Sequence, residues 1–583
     1  MKDEKKSPKP QFLWLFGAAA SLALGLWHFT DVRAGVLETG HTWLYGWYVG
    51  LMVFAAFGLA ASGYVMFIRK KQTVEVSFAV TVFFLGLMYL AVLAPLSAPD
   101  EVSHFISAYQ LSSRMLGQTA NADDGRVYIR AEDAFIEDMQ DVMADDGSGY
   151  REAPPEAGGL PSEGDTGTAE PASAEERPAA KVLGQELTEE TYRIIHDGTA
   201  EDGSGAAGSG RTGSSGSGQT GSVQEQAVSY QPPVRTTPLA YVPQALGIAL
   251  ARLAGFGSLG LLYMGRLFNL LFYTITGYFT IKRMPFGKEV MAGAALLPMS
   301  LHLAASFSYD VMILALSAHF TAVCLDLAYR AQRVRAGDIL LLALIMGVMG
   351  PCKMVYGVIA GYCLLIPVKK FGNPIKWTVS AAAVLGAFGL AMVLVNRSTV
   401  TLYTQTEEVY ITWAEEAGYT FSGLLHSPLH VLKMCYNTLA WEGEPLYSGM
   451  IGEALGNMDP VLNTPYVIVL ALTAALLMLA LRKPGETIYI KGGQRLWIWF
   501  LCLTCLGALM FSMLLAWTPV SSSVIRGVQG RYLLPLLPMF LLTLKNDRVV
   551  RTGWDDRGIL YTMTVMDVYV ILRIFAVVCL RIG

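Results

Sequence analysis

Residues 76–96 read VSFAVTVFFLGLMYLAVLAPL, and residues 97–105, which follow, read SAPDEVSHF. The first run carries no charge over twenty-one positions, about the length a helix needs to cross a hydrocarbon layer roughly 30 Å thick. The second run places two adjacent carboxylates, Asp100 and Glu101, and the imidazole of His104 where apolar sequence turns polar. Neighbouring negative charges at a bilayer edge are costly, so their presence points to a use. Continued as a helix, the segment sets Asp100, His104, Ser107, Leu111 and Arg114 on one face. The structural alternative is a capping box from Ser97 to Asp100, in which the acid satisfies free backbone donors at the helix start.

Composition agrees with a membrane protein. Of 583 residues, 53% are hydrophobic and 15% charged, against about a quarter charged in soluble domains, and the mean hydropathy is +0.41. The net charge of −4 gives no basic excess, and no nucleic-acid partner is expected. All seven cysteines except Cys435 fall in or beside apolar runs, so no disulfide framework is indicated. Cys502 and Cys505 form a CxxC inside a hydrophobic span and read as membrane-core residues, not a redox or metal pair. No P-loop, dinucleotide fingerprint or HExxH motif occurs.

Outward from this stretch the chain divides by hydropathy. Residues 1–97 form a three-span region. Its first span, from Phe12 to Trp27, follows a lysine-rich start and lacks the small-residue cleavage site of a signal peptide. The others run from Trp43 to Ile68 and from Val76 to Leu96. Residues 98–143 form the first exterior loop with the Asp-Glu motif, helical to about Gln118 and again from about Arg126 to Met143. Residues 144–230 are rich in Glu, Ala, Pro, Gly and Ser, and such a segment is expected to stay disordered. Residues 231–395 form a membrane core, opened by an amphipathic juxtamembrane helix from Tyr241 to Phe256. Residues 396–465 contain aromatics and read as an exterior cap loop, and residues 466–583 supply the last spans.

About thirteen spans result, an all-α polytopic fold. The basic residues orient them. With the N-terminus in the cytoplasm, the clusters Arg69-Lys70-Lys71, Lys282-Arg283, Arg330/Arg333/Arg335, Lys369-Lys370, Arg482-Lys483 and Lys545/Arg548/Arg551 all fall inside. The Asp100 loop then lies outside the cell.

Several polar residues are expected at the same depth. Asp310 sits at an exterior connection between two spans. Lys353 follows the break Gly350-Pro351-Cys352, and irregular backbone at membrane depth is tolerated only where protein or water covers it. Arg266 lies within a span, and Gln529 and Arg531 flank the start of another. Singly, each cation could snorkel to headgroups. Together they suit a phosphate-bearing lipid, while the carboxylates suit proton abstraction from a hydroxyl or a divalent cation. His426 and His430 have metal-like spacing, but Pro428 separates them, so no metal site is expected there. His302 and His319 read as satisfied core histidines. Asp567 and Arg573, six apart in the last span, are left without a pairing.

The segments Pro99-Asp100-Glu101-Val102-Ser103-His104-Phe105, Tyr241-Val242-Pro243-Gln244, Gly265-Arg266-Leu267-Phe268-Asn269, Ser308/Asp310, Cys352-Lys353-Met354 and Gly530-Arg531-Tyr532-Leu533-Leu534-Pro535 together resemble a family of bacterial membrane proteins, number 2142 among the domains of unknown function. That family is in turn similar to the GT-C glycosyltransferases, such as the protein mannosyltransferases and the lipid A aminoarabinose transferase. The resemblance implies a polyprenyl-phosphate sugar donor on the outer leaflet and an acid in the first exterior loop, the place of Asp100 or Glu101. This chain departs from the plan by two additional spans before that loop and by the Gly/Ser-rich insertion.

The expected activity is therefore inverting sugar transfer to an envelope glycan, lipid or protein acceptor. Asp100, Glu101, His104 and Asp310 would be catalytic, and Lys353, Arg531, Arg266 and Gln529 would bind the donor phosphate. The alternatives are a transporter or lipid flippase of the cell envelope, working by alternating access around the Gly350-Pro351 break, and a non-catalytic envelope scaffold.

Overall fold

The computed structural model describes residues 10–69, 73–93, 95–134, 226–229, 233–234, 236–395, 410–411, 413–456, 459–553 and 555–579. Eight of its helices are long and apolar enough to cross a membrane. Lipid offers no partner for a free N–H or C=O, so an uninterrupted apolar run has only the helix in which to pair its own backbone. The first helices are α1 (Pro10–Trp27), α2 (Phe29–Thr39), α3 (Trp43–Gly63, drawn out by a π turn to Ile68), α4 (Val74–Val92) and α5 (Glu101–Met115). After the insertion come α6 (Val242–Leu253), α7 (Ser258–Arg283), α8 (Lys288–Ala295), α9 (Pro298–Ala304), α10 (Asp310–Tyr329) and α11 (Ala336–Cys352). A 3₁₀ segment, Met354–Leu365, leads to α12 (Pro374–Val395). The C-terminal part holds α13 (Phe421–His426), α14 (Pro428–Ile451), α15 (Tyr466–Ala480), α16 (Gly492–Ala516), α17 (Leu537–Leu542) and α18 (Asp556–Cys579).

Of the segments counted as spans from hydropathy, two are broken. The run from residue 290 to 304 divides into α8 and α9 at Pro298, which cannot donate to the preceding turn. The run from 532 to 544 is a 3₁₀ turn, Gly530–Leu533, followed by the short α17. α10 and α18 are the most enclosed spans, 72% buried over their apolar windows, whereas α12 is 11% buried and faces outward. At one end of the bundle Arg283 bridges Asp326 and Asp338 at 3.2 and 2.7 Å, and Arg330 adds a 2.6 Å bond to Asp326. Asp310 lies at the other end of the same helix α10, about 24 Å from Asp326.

The first loop differs from its sequence reading. The helix does not start at Ser97 but three residues later than a capping box there would set it. The backbone turns left-handed at Leu96 (φ 70°) and again at Asp100 (φ 55°), and α5 starts after it. Where a second helix is expected from about Arg126 to Met143, the described part holds a strand, β1 (Tyr128–Arg130), and a 3₁₀ turn (Ala131–Asp133), β1 pairing antiparallel with β2 (Gln226–Val228), and residues 135–143 lie outside the described residues. β2 falls within the stretch expected to be disordered, 144–230, of which residues 144–225 and 230 lie outside the described residues. A buried Arg130–Asp133 ion pair (2.7 Å) and the Tyr109 hydroxyl, which donates to Asp133 and accepts from the Arg130 amide, fasten this hairpin to α5. The juxtamembrane helix is present as α6. Leu246, Leu250 and Leu253 line its exposed face, and its other face packs on α5 and α7.

Candidate functional site

The left-handed turn at Asp100 separates the two adjacent acids. Asp100 stays exposed while Glu101, first residue of α5, is 1% exposed. A non-glycine residue in this region costs about 1–2 kcal/mol, so the turn is held by its neighbours. Glu101 supplies the hold. Its Oε2 accepts the Ala98 amide at 3.0 Å and its Oε1 accepts the Phe307 amide at 2.8 Å, 3.6 Å from the Nε of Arg266. Arg266, fully buried in α7, donates to the carbonyls of Ala305 (2.5 Å) and Leu93 (2.9 Å). Glu101 and Arg266, expected as a catalytic acid and a phosphate ligand, are thus placed in a buried clip joining the loop after α4, the loop before α10 and helix α7. Their charges are committed to backbone and to each other.

The remaining groups converge on Asp310. Its amide donates to Ser308 Oγ at 3.2 Å, and its carboxylate sits at the positive N-terminal end of α10. Lys353 donates to Oδ1 at 2.9 Å, and Arg531 Nε lies 3.2 Å from Oδ2. Lys353 reaches this point because Pro351 ends the regular ladder of α11. Residue 353 is extended (φ −151°, ψ 109°) before the chain resumes as a 3₁₀ segment. Arg531 is set by glycine: a Cβ on Gly530 would run into the Leu446 carbonyl and the Met450 amide of α14. The ammonium of Lys353 stands 3.6 Å over the ring of Tyr532 and 5.7 Å over that of Tyr309, and the Arg531 guanidinium is 5.5 Å from the Tyr532 ring. Such faces hold cations where water is scarce.

His104 completes the wall. Its Nδ1 bonds the Tyr241 hydroxyl at 2.7 Å, and its ring meets Tyr309 edge-on at 5.2 Å. Burial pushes the imidazole down to about 4, against the pull of Asp100 and Asp310 and assisted by Arg531 and Lys353. It is therefore neutral near pH 7. Asp100 lies within electrostatic reach of both His104 and Arg531. The segment following the insertion straps the site: Val234 donates its amide to Ser107 Oγ (2.8 Å), and Thr236 Oγ1 donates to the Pro351 carbonyl (3.2 Å).

Asp100, His104, Asp310, Lys353 and Arg531 are thereby gathered at one end of the bundle from four distant parts of the chain. Gln529, half-buried two residues before Arg531, keeps a buried Oε1 without a hydrogen-bond partner among the described residues. The aromatic members Tyr241, Tyr309 and Tyr532 were missed as site residues. Their signal was adjacency, since Tyr309 precedes Asp310 and Tyr532 follows Arg531. His426 and His430 do not form a pair: the first bonds the Ser422 carbonyl and the second the Tyr419 hydroxyl. His319 is satisfied by Thr280 at 3.0 Å. His302, read as satisfied, has neither ring nitrogen bonded among the described residues. Arg573 bonds Asn463, whereas Asp567 is buried with both oxygens unpartnered among those residues. The described residues contain no group of three or more His, Cys, Asp or Glu able to hold a metal ion.

Eight apolar helices with a largely buried cluster of charged side chains at their end define a polytopic membrane protein. Residues 219–540, more than half of the chain, match a family of predicted membrane proteins (DUF2142), and the chain belongs to that family. No curated protein and no solved structure matches it.

Proposed function

We propose that the chain is a membrane glycosyltransferase that moves a sugar from a polyprenyl-phosphate donor to an envelope acceptor on the outer face. In this reading the chain crosses the membrane thirteen times from a cytoplasmic N-terminus, on a GT-C-like plan. The observation that carries it is the pairing of Lys353 and Arg531 on a single carboxylate, Asp310. Both cations meet on Asp310, with Asp100 in electrostatic reach of Arg531, so an arriving phosphate would compete with these carboxylates for two adjacent cations. Lys353 and Arg531 would hold that phosphate and stabilise it as it leaves, and Gln529 would offer a further polar contact. Asp100 would take the proton of the acceptor hydroxyl as the sugar carbon is attacked, with neutral His104 and Tyr241 orienting the acceptor. An apolar cavity of about 200 Å³ bordered by Gly357, Ala360, Leu364, Trp377 and Leu385 begins four residues beyond Lys353, which suits the start of the hydrocarbon tail.

The test is transfer by the full-length chain in vesicles containing a radiolabelled polyprenyl-phosphate hexose and a crude envelope acceptor. A positioned base contributes about a hundred- to ten-thousand-fold, so Asp100→Asn should drop transfer to background at unchanged expression. Full transfer by that variant would defeat the assignment. The flippase alternative draws on the helix break at Pro351, and donor crossing the vesicle membrane without any product would favour it.

A further inference from the structure

The second exterior loop carries an apolar stripe that its reading as a cap does not account for. In α13 and α14, Leu425, Leu429, Leu432, Tyr436 and Leu439 recur at steps of four and three residues, and they are 60, 80, 66, 70 and 48% exposed. Within α14 that spacing sets Leu429, Leu432, Tyr436 and Leu439 along one helical face, and Leu425 stands on α13 just before the break at Ser427. The opposite face is the packed one. Leu424 and Met434 are buried against Met510, Leu514 and Leu515 of α16, and Phe421 meets Phe511 edge-on at 5.8 Å.

The place where this pair docks fixes what lies on its other side. α16 is one of the eight long apolar helices, and its exposed face runs through Leu496, Phe500, Leu503 and Gly507. Continued by steps of three and four, the same face reaches Met510, Phe511 and Leu514, and there α13 and α14 cover it. These helices therefore occupy the position that lipid occupies further down α16. Met510 lies six residues, about 9 Å, below the end of that helix, which matches the depth of about 5–10 Å at which in-plane amphipathic helices lie.

We infer that α13 and the first half of α14 are an in-plane membrane helix whose leucine stripe is immersed in the acyl chains of the bilayer leaflet at the site's end of the bundle. The stripe continues the lipid-facing surface of α16 outward over these two helices. Lys433, beside Leu432 and exposed, is placed to reach lipid phosphates. The conclusion is independent of the chemistry at Asp310.

The experiment places a nitroxide at Leu432→Cys or Tyr436→Cys in the full-length chain with Cys435→Ser, reconstituted in phosphatidylcholine–phosphatidylglycerol vesicles. Asp123→Cys, in the exposed turn of the first loop, serves as the aqueous reference, and signal from the chain without added cysteine is subtracted. Collision with dissolved oxygen should be several-fold higher at 432 and 436 than at 123, and collision with a water-soluble nickel chelate several-fold lower. Chelate access equal to that at 123 would overturn the inference. So would strong spin–spin broadening that disappears on mixing with unlabelled chain, because the stripe would then cover a second copy of the protein.

Discussion

Lys353→Met removes one ammonium and keeps a side chain of similar length, which makes it a clean perturbation of the chamber. Lys353 Nζ lies 2.9 Å from Asp310 Oδ1 and 3.6 Å from the centre of the Tyr532 ring, with 18% of its side chain exposed. It is accessible to a ligand and largely dry. A hydrogen bond to a charged group contributes about 1.5–3 kcal/mol, so losing it from a bound phosphate should weaken binding about 10- to 150-fold. Asp310 keeps Arg531 at 3.2 Å, so the variant avoids the full cost of about 3–5 kcal/mol for an orphaned buried charge. The assay is titration of the full-length chain in nanodiscs with a short-chain polyprenyl phosphate and with the corresponding polyprenol. The unsubstituted chain should prefer the phosphate, and Lys353→Met should lose that preference while its affinity for the alcohol holds. If Lys353→Met binds the phosphate within about twofold of the unsubstituted chain, against the tenfold least effect expected, the chamber does not recognise phosphate.

Three further outcomes test other parts of the account. Glu101→Ala should lower stability by about 3–5 kcal/mol, because it strands the buried Arg266 and frees two backbone donors; thermal unfolding of the purified chain measures this, and an unchanged midpoint would remove the clip. Tyr532→Leu should weaken binding of the same polyprenyl phosphate by the worth of one desolvated cation–π contact, about 1–2 kcal/mol, and isotherms matching the unsubstituted chain would contradict it. His104 is held near 4 against about 6.5 when free, so the unfolded chain binds the extra proton between these values. Its contribution is full above pH 6.5 and is lost as pH falls towards 4, about 3 kcal/mol in all; His104→Gln should flatten the pH dependence of unfolding across that window, and an unaltered slope would place the titration elsewhere.

Much of the architecture was legible because bilayer physics leaves few choices. Long uncharged runs such as Trp43–Ile68 must be helices, and basic clusters mark one end of the bundle. The site was legible in part for a related reason: a charge beside lipid stands out against the apolar background, and Asp100, Asp310, Lys353 and Arg531 did so. What failed was the direction of side chains near irregular backbone. Helical periodicity treats Asp100 and Glu101 as neighbours on one continuous helix, yet the left-handed residue at 100 puts one acid outside and the other inside. Arg266 shows the same limit, since hydropathy detects a buried cation without revealing that two backbone carbonyls and Glu101 already engage it. The strand from 226 to 228 was hidden by its length, three residues after a long Gly/Ser-rich tract, with its partner almost a hundred positions away. The aromatic ring around Lys353 was hidden by the abundance of tyrosine, 27 residues in all.

The two adjacent acids occupy separate environments, one exposed and one buried, and under the proposed function this separation bears on how the site would work. A base must be free to approach its substrate, whereas the loops that form the chamber must not shift as charges move within it. One carboxylate cannot meet both demands, since each hydrogen bond that fixes it also lowers its basicity. Here the fixed partner is Glu101, which ties the end of α4, the start of α5 and the loop before α10 through Ala98, Phe307 and Arg266. Asp310 leads directly out of that loop, three residues after Phe307, so the clip sets the position of the carboxylate on which Lys353 and Arg531 converge. Asp100, one residue from the clip and outside the helix, inherits a fixed backbone with an exposed side chain. The Asp-Glu pair is thus a lock followed in space, though preceded in sequence, by the group it positions.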